Sequence, residues 1–175
     1  LDRHNPLGLG RVEGRPQKDG FLSYVGMYPL PVRHAMTPGE LARHFAAVDG
    51  LPEPLVVPVD NPCLDGFPKG SPWVLPSPNM PTTETALVYP GMCLLEGTNL
   101  SEGRGTTRPF ELFGAPWLAS ERLAEALRRE KLPGAMFRPV RFVPTWDKHA
   151  RTRCRGVEIH VSDPEAFLPF RTGMA

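Results

Sequence analysis

The chain has 175 residues, of which 41% are hydrophobic and 22% are charged. This composition is ordinary for a globular protein, and the length suits one domain or two small lobes. A net charge of +1 argues against nucleic acid as the default partner, and no apolar run is long enough to span a membrane. The 22 prolines and 17 glycines are spread along the chain, which predicts many ordered turns.

One part of the chain is strongly basic. Residues 128–155 contain nine Lys and Arg residues against two acidic residues, an excess of seven positive charges. Two interpretations are open for this stretch. It is either a solvated basic face or a surface that attracts an anionic polymer through long-range electrostatics.

The three cysteines, Cys63, Cys93 and Cys154, cannot all pair within the chain. Neither they nor the five histidines show the spacing of a metal site, so we predict no metal and no cofactor. A disulfide between Cys63 and Cys154 stays open. Cys93 lies in an apolar run and is expected to be a buried small hydrophobic residue.

The first third of the chain predicts loops around one clear helix. Residues 1–33 are rich in Pro and Gly, which predicts a long ordered loop with short strands. Thr37 can cap a helix, Pro38 suits its first turn, and Glu40 completes a capping box. The β-branched run at residues 55–59 predicts a short buried strand.

The middle of the chain predicts two helices and one strand. Residues 82–89 are expected to form a short helix that ends at Pro90. The apolar run 92–95 is expected to be a buried strand that opens into a polar loop. Further on, Ser120 is expected to cap a second helix over residues 121–131.

The last third predicts two strands and a helix start. Residues 136–143 read as a strand in which Pro139 favours an edge or a bulge. Residues 155–161 alternate apolar and polar residues, which predicts a half-buried strand with Glu158 on its polar side. Asp163 is typical of another helix start. Helices and strands are thus mixed, so the fold class is α/β or α+β.

Residues 96–108 form the polar loop, the most informative segment of the chain. Its three glycines let the backbone approach a ligand, and its side chains offer carboxylates, an amide, hydroxyls and guanidinium groups. That inventory suits a polyhydroxylated or anionic small molecule. Hydrolysis of a glycosidic bond usually needs two carboxyl groups, and Glu96 and Glu102 are available. For Glu96, catalysis, ligand binding and loop architecture all remain open.

Two arginines of the polar loop are candidate anion ligands. Arg104 and Arg108 could each bind a carboxylate through two parallel hydrogen bonds. The alternative is an internal salt bridge to Glu102 or Glu111. A phosphate-binding Walker loop is disfavoured because the glycines are not followed by the required lysine.

Three further polar groups are candidates for a site. Asp2, Arg3 and Asn5 could line a cleft or form a turn. His34, which follows Arg33, could titrate near neutral pH and donate protons, or it could be a hydrogen-bonded structural residue. Asn79 could bind a sugar hydroxyl or cap a turn. 

These motifs together resemble the NamZ-type exo-β-N-acetylmuramidases of glycoside hydrolase family 171. The resemblance spans almost the whole chain, and the long central motif is its most specific part. Its elements, in chain order, are Leu1-Asp2-Arg3 with Asn5-Pro6-Leu7-Gly8, Pro31-Val32-Arg33-His34 with Met36-Thr37 and Gly39-Glu40-Leu41-Ala42, Trp73 with Pro76-Ser77-Pro78-Asn79-Met80-Pro81, Tyr89-Pro90-Gly91 through the polar loop to Gly114-Ala115-Pro116-Trp117, and Phe137-Arg138-Pro139.

The resemblance implies a bacterial cell-wall hydrolase that removes terminal N-acetylmuramic acid from the non-reducing ends of peptidoglycan glycans. It implies the C-terminal part of a Rossmann-like domain over residues 1–89 and a smaller α+β domain over residues 90–175, with a cleft between domains. Members are typically exported, so a periplasmic or extracellular location and an upstream signal peptide are expected. The implied partners are peptidoglycan glycan ends or muropeptide disaccharides, with no nucleic acid and no transmembrane segment.

The departures from the family pattern limit this expectation. The chain begins roughly midway through the family's usual length, so a Glu-His motif expected to hold the main catalytic acid is absent. His4 stands where the pattern has Pro, and Ala35 stands where it has Gly. The chain is therefore expected to supply mainly the substrate-binding wall. The rival interpretation is a non-catalytic wall-binding module.

The resemblance and the residue chemistry together give a set of site predictions. Glu96 and His34 are the catalytic candidates. Arg104 or Arg108 is expected to bind the lactyl carboxylate that distinguishes N-acetylmuramic acid from N-acetylglucosamine. The substrate-binding candidates are Asp2, Arg3, Asn5, Arg33, Asn79, Thr98, Asn99, Glu102, Arg104 and Thr106.

Overall fold

The computed structural model describes residues 1–59 and 72–175. The chain divides into two compact units, Leu1–Pro72 and Trp73–Ala175. The domain boundary at residues 89 and 90 stays a prediction. Cys63 lies outside the described residues, so its pairing with Cys154 also stays a prediction. Among the described residues, no helix combines the length and apolar character that crossing a membrane requires.

The first unit contains helix α1, Pro38–Val48, which begins where the sequence predicts. The Thr37 hydroxyl accepts a hydrogen bond from the Glu40 amide at 3.2 Å, and the Glu40 carboxylate accepts one from the Thr37 amide at 2.8 Å. This reciprocal pair is the predicted capping box. Around the helix the chain forms loops joined by isolated bridges, including a parallel bridge between Asp2 and Pro58.

The prediction of a buried strand at residues 55–59 is wrong. Within residues 1–59 and 72–175, this segment pairs only through the bridge to Asp2. The Asp2 amide donates to Val57 O at 2.7 Å, and the Asp2 carbonyl accepts from the Val59 amide at 2.9 Å. Leu55, Val57 and Val59 are all exposed. A β-branched run forms a strand only where a neighbour pairs with it along its length, and among the described residues only Asp2 does so.

The second unit combines three helices with a small antiparallel sheet. The sheet order is β1-β3-β2, with β3 in the centre. In chain order the elements are α2 (Thr83–Met92), a 3₁₀ helix (Cys93–Gly97), β1 (Leu112–Ala115), α3 (Ser120–Arg129), β2 (Ala135–Phe142), β3 (Cys154–Val161) and α4 (Pro169–Met174).

The core of the second unit lies between the sheet and the helices. It is built from buried aromatic and aliphatic side chains, among them Phe110, Phe113, Phe137, Val157 and Ile159. Helices α2 and α4 meet at two glycines. A Cβ atom at Gly91 would lie 1.8 Å from the Pro169 carbonyl oxygen, and one at Gly173 would lie 2.2 Å from the Gly91 carbonyl oxygen. The two backbones therefore approach as closely as glycine permits.

The prediction of a strand at residues 92–95 is wrong, because α2 runs through Pro90 to Met92 and continues as the 3₁₀ helix. The Thr82 hydroxyl caps α2 by accepting from the Thr85 amide at 3.1 Å. A four-residue apolar run fits a buried helix end as well as a strand, and its periodicity cannot distinguish the two. The polar loop thus follows a helical turn instead of a strand.

Ser120 is not the cap of α3, because it is the first helical residue and its hydroxyl donates to Val140 O at 3.0 Å. This bond ties α3 to β2. The edge position predicted for the Pro139 strand is confirmed, since in the part of the chain that the structure describes β2 pairs only with β3. The half-buried strand is confirmed as a strand, but Glu158 on its polar side is buried. Asp163 accepts from two following amides in a turn, and no helix begins there.

Candidate functional site

The middle of the polar loop is fixed by backbone hydrogen bonds to β1 and to the segment that precedes β1. Ser101 exchanges two bonds with Gly114 of β1 at 2.8 and 2.9 Å, and the Phe110 amide donates to Glu102 O at 2.6 Å. Gly105 has a φ of 76°, and a Cβ there would lie 2.7 Å from the Trp146 carbonyl oxygen. Glycine at this position therefore lets the loop pack directly against the backbone of residues 145 and 146.

Arg104 joins the two glutamates of the loop. Its Nη2 lies 2.5 Å from Glu96 Oε1, and its Nε lies 3.1 Å from Glu102 Oε1. The guanidinium also lies over the Phe110 ring, 5.0 Å from the ring centroid. Asp147 is a more distant partner at 3.9 Å. The internal salt bridge, one of the two alternatives for Arg104, is therefore formed.

Lys148 completes this network, and the sequence interpretation missed it. Its Nζ donates to Glu102 Oε2 and to the carbonyl oxygens of Leu95 and Glu96, each at 3.0 Å. Those carbonyls belong to the end of the 3₁₀ helix, so the ammonium group caps that helix. A contact between residues 46 positions apart leaves no spacing pattern. The only signal in the sequence was a basic residue in the stretch 128–155.

The two glutamates have different environments. The Glu102 side chain is 2% exposed, and each of its oxygens has a cationic partner. It therefore orients Arg104 and Lys148 and does not face solvent. The Glu96 side chain is 40% exposed, and Arg104 occupies only Oε1. Of the two glutamates, Glu96 is therefore the one that a ligand can reach.

The charge of Glu96 affects the titration of its neighbours. Partial burial lowers the pKa of Arg104, but the hydrogen bond and charge of Glu96, with the charge of Glu102, raise it overall. Burial and Glu96 raise the pKa of Tyr89. They also raise the pKa of the half-buried Cys93 to about 11, so this thiol stays protonated near neutral pH and is not a nucleophile.

Arg108 also forms internal salt bridges but remains accessible. Its Nη1 lies 2.8 Å from Glu111 and its Nε lies 3.6 Å from Glu158, both of which are buried. The side chain is still 54% exposed. It lines an open cleft of about 570 Å³ together with Arg138 and Arg141. The cleft therefore presents three guanidinium groups.

The basic stretch as a whole is only partly paired. Arg128 donates to Phe137 O at 2.7 Å, and three further residues of the stretch form salt bridges: Arg129, Arg138 and Lys148. Seven arginines of the stretch are exposed: Arg128, Arg129, Arg138, Arg141, Arg151, Arg153 and Arg155. Attraction of an anionic polymer by this stretch stays a prediction.

The hydroxyls of the polar loop support its turns. Thr98 Oγ1 donates to Leu95 O at 2.8 Å, and Thr106 Oγ1 donates to Gly103 O at 2.6 Å. Asn99 is exposed, and its carbonyl oxygen lies 2.8 Å from His149 Nε2. Within the described residues its side-chain amide forms no hydrogen bond. Asn99 can therefore offer a donor and an acceptor to a ligand.

In the first unit, Asp2 and Asn5 support the backbone. Asp2 accepts from the Gly39 amide at 2.8 Å and from the Thr37 hydroxyl at 3.0 Å, and the bond from Gly39 lowers the pKa of this carboxyl group. Asn5 donates to Met36 O at 3.1 Å and accepts from the Leu7 amide at 3.0 Å. These two side chains tie residues 2–7 to the start of α1.

Arg33 is a buried cation. Its side chain is 8% exposed, lies 2.8 Å from Glu13 and donates to Leu7 O at 2.7 Å. Its Nε is buried and lacks a hydrogen-bond partner among the described residues. Arg3, in contrast, is exposed.

His34 is held by one backbone bond. Its Nδ1 accepts from the Met36 amide at 3.2 Å, and burial lowers the pKa of the imidazole. The ring is therefore neutral near pH 7. Ala35, between these two residues, has a φ of 53°. This left-handed conformation suits the glycine of the family pattern better than alanine.

Asn79 lies in a turn before α2, where its backbone amide donates to Ser77 Oγ at 3.2 Å. The Trp73 indole closes the same turn by donating to Met80 O at 2.9 Å.

The candidate site residues fall into two groups. The structure brings Glu96, Glu102, Arg104 and the adjoining loop residues together in the second unit. Asp2, Asn5, Arg33 and His34 form a separate group in the first unit. Across residues 1–59 and 72–175, no cluster of His, Cys, Asp and Glu could hold a metal ion.

Comparison with known proteins assigns both parts of the chain. Residues 87–175 match the family described as "Exo-beta-N-acetylmuramidase NamZ, C-terminal", and residues 1–84 match the corresponding N-terminal family. The chain is 46% identical to the peptidoglycan beta-N-acetylmuramidase NamZ of Bacillus subtilis (strain 168). That alignment covers 100% of this chain and 43% of the relative.

Two solved structures are similar, both of DUF1343 family proteins from Bacteroides fragilis NCTC 9343. One has a TM-score of 0.81 at 30% identity, and the alignment covers 98% of this chain and 46% of that protein's chain. The other has a TM-score of 0.68 at 30% identity and covers 93% of this chain and 43% of its own. The chain therefore spans less than half the length of these relatives. Because both of its parts match NamZ domains, the chain belongs to the NamZ exo-β-N-acetylmuramidase family.

Proposed function

We propose that this protein is a peptidoglycan glycoside hydrolase that removes terminal N-acetylmuramic acid from the non-reducing ends of glycan chains. The observation that carries the proposal is the 46% identity, over the whole chain, to a peptidoglycan beta-N-acetylmuramidase. Its substrates would be glycan ends or muropeptide disaccharides, and it would act after export, in the periplasm or outside the cell. The described residues supply mainly the substrate-binding wall.

The polar loop provides hydrogen-bond donors and acceptors for a sugar. A pyranose ring carries hydroxyl groups that both donate and accept, and the exposed side chains of Glu96 and Asn99 supply matching partners. Glycosidic hydrolysis breaks the bond between the sugar and the leaving oxygen, adds water, and needs one carboxyl group to protonate that oxygen. Because Glu102 is buried and paired at both oxygens, we assign it to holding the loop and Glu96 to holding the sugar.

For the first unit we infer the C-terminal portion of a Rossmann-like domain. Asp2 and Pro58 form a parallel bridge, and α1 lies between them in the chain. A helix that connects two parallel segments is the repeating element of such folds. In this domain we assign Asp2, Asn5 and Arg33 to supporting the backbone of the substrate-binding surface.

The proposed activity is tested by incubating the protein with the disaccharide N-acetylmuramyl-β-1,4-N-acetylglucosamine. We expect release of free N-acetylmuramic acid, detected by mass spectrometry, and no release of sugar from glycans whose non-reducing end is N-acetylglucosamine. Binding of the glycan without release by the full-length protein would overturn the enzymatic proposal and leave a wall-binding module.

The lactyl carboxylate is the part of the substrate that requires a cation. Arg104 and Arg108 each pair with two glutamates, but the Arg104 side chain is only 26% exposed, whereas that of Arg108 is 54% exposed beside a cleft with two other arginines. We therefore assign the carboxylate to Arg108. Its replacement by Ala should reduce the preference for a muramyl substrate over the same substrate without the lactyl group. An unchanged preference in Arg108→Ala, with a reduced one in Arg104→Ala, would transfer the role to Arg104.

The exposed arginines of the basic stretch suggest a second, weaker contact with anionic wall polymer. Such attraction is screened by salt. Binding to purified cell walls should therefore weaken as sodium chloride is raised from low to physiological concentration. Wall binding that does not respond to salt would contradict this part of the proposal.

A further inference from the structure

Residues 145–149, which we call the wall segment, lie along the polar loop. The Thr145 amide and hydroxyl both donate to Gly105 O at 2.9 Å. Lys148 binds the end of the 3₁₀ helix, and His149 Nε2 lies 2.8 Å from Asn99 O. Three of its five residues thus hold the wall segment against the loop that carries the candidate sugar site.

Two exposed tryptophans adjoin this wall segment. Trp146 belongs to it and is 49% exposed, and Trp117, just beyond β1, is 57% exposed. The Trp117 ring meets the His149 ring edge-on, with centroids 5.1 Å apart and an angle of 87°. Isolated exposed apolar residues are normal on protein surfaces. Here, however, one tryptophan belongs to the wall segment and the other contacts His149 of that segment, which is itself hydrogen-bonded to the polar loop.

The backbone of the wall segment is unusual at two positions. Asp147 and His149 have φ values of 66° and 58°, in the left-handed region that non-glycine residues rarely adopt. Between them, Lys148 reaches the buried Glu102, while Trp146 on the other side of Asp147 stays exposed. The contacts of Lys148 and His149 with the loop hold this conformation.

From this arrangement we propose that Trp117 and Trp146 bind the sugar on the leaving-group side of the scissile bond. A pyranose has an apolar face of C–H groups and a polar rim of hydroxyls. An indole ring provides the apolar surface, and the exposed Asn99, whose backbone carbonyl contacts His149 of the wall segment, provides a side-chain amide for the rim. Small-molecule sites commonly combine aromatic surface with a few polar groups in this way.

The direction along the glycan follows from the proposed function, on which this inference rests. An exo-acting enzyme places the terminal sugar in its cleavage site, so every other sugar lies on the leaving-group side. If the polar loop holds the terminal sugar, an adjoining aromatic surface meets the next one. The predicted ligand is therefore the N-acetylglucosamine residue that follows terminal N-acetylmuramic acid.

The test compares two substrates that differ only in the leaving group. One is the disaccharide N-acetylmuramyl-β-1,4-N-acetylglucosamine, and the other is N-acetylmuramyl β-fluoride, whose leaving group is a single atom and cannot stack. We expect Trp117→Ala and Trp146→Ala each to lower kcat/KM for the disaccharide about tenfold relative to the fluoride, as the loss of one aromatic contact predicts. Trp117→Phe should recover most of that ratio.

Met136, which is 57% exposed on β2, provides a matched control. Met136→Ala removes an equally exposed apolar side chain outside the wall segment and should leave the ratio of the two kcat/KM values at the wild-type level. A Trp117→Ala variant that loses activity on both substrates equally would contradict the proposal, because a disturbed loop would harm both reactions.

A binding measurement separates this inference from the proposed function. The probe is the β-1,4-linked dimer of N-acetylglucosamine, and the readout is the heat of binding in isothermal titration calorimetry, which does not depend on the tryptophans as reporters. We expect a saturable change that Trp117→Ala and Trp146→Ala weaken. If the wild type hydrolyses neither substrate but still binds this probe through the two tryptophans, the activity is wrong and the sugar site stands. If the variants bind the probe as the wild type does, the inference is overturned.

Discussion

The two polar groups of this chain use their charges differently. In the polar loop, Arg104 and Lys148 neutralise the buried Glu102 and leave Glu96 partly exposed. In the first unit, Arg33 is enclosed with Glu13. Charged residues that look equivalent in a sequence can therefore either present a group to solvent or close a backbone turn. The contacts of each residue decide which role it has.

Removal of Lys148 tests the loop network most strongly. Lys148→Met leaves one oxygen of Glu102 buried without a cation, so the free energy of unfolding should fall by about 3 kcal/mol. Urea unfolding followed by circular dichroism measures this change. Lys148→Arg should recover much of it, and Lys131→Met, at an exposed lysine of the same basic stretch, should change stability little. An equal loss in both Met variants would mean that the network contributes nothing specific.

Removal of Arg33 tests the first unit. Arg33→Met removes the buried ion pair with Glu13 and the hydrogen bond to Leu7 O, and we expect the free energy of unfolding to fall by about 2 kcal/mol. Arg15→Met is the control, since Arg15 is exposed and is not among the candidate site residues. At a temperature where both variants are folded, KM should follow the wild type. A large rise in KM for Arg33→Met alone would show that this arginine contacts substrate and would erase the difference between the two groups.

Neutralising Glu96 should affect activity more than stability. Glu96→Gln keeps the shape of the side chain but removes a charged hydrogen-bond acceptor, so kcat/KM for the muramyl disaccharide should fall about tenfold. Glu125→Gln, at an exposed carboxylate paired with Arg129, is the matched control. If Glu96→Gln retains full activity, the exposed carboxylate is loop architecture only.

The smallest expected effect is a pH dependence of stability at His34. Burial lowers its pKa in the folded state, so between that value and the ordinary pKa of about 6.5 the unfolded chain binds more protons. Stability is then fully present above the ordinary pKa and falls as pH decreases through this window. In His34→Gln this component is absent, so the decline from pH 7 to pH 5 should be shallower.

Features set by neighbouring residues could be predicted from the sequence. The capping box of α1 needs only Thr37 and Glu40, and both make the expected bonds. The edge position of β2 follows from a proline that cannot donate within a sheet, and the register of β2 with β3 agrees with it. In both cases the chemistry that determines the structure lies within a few residues.

Features set by distant contacts could not be predicted. The apolar residues 92–95 suit a strand as well as a helix, and packing decides in favour of the helix. Ser120 had the right chemistry for a cap, but Val140 O lies within reach of its hydroxyl. Within the polar loop the sequence named Glu96, Glu102 and Arg104, yet it gave no sign that Lys148 would join them.

The crossing of α2 and α4 has a consequence for how this protein tolerates substitution. At Gly91 and Gly173 the neighbouring atoms belong to main chain, which cannot rotate away as a side chain would. Even alanine, the smallest replacement, must push the terminal helix off its neighbour. These two positions contain no functional group, yet a mutational scan should find them as intolerant as a catalytic residue. If the scan finds these positions intolerant, the cause is the contact between the two helix backbones and not a role in catalysis.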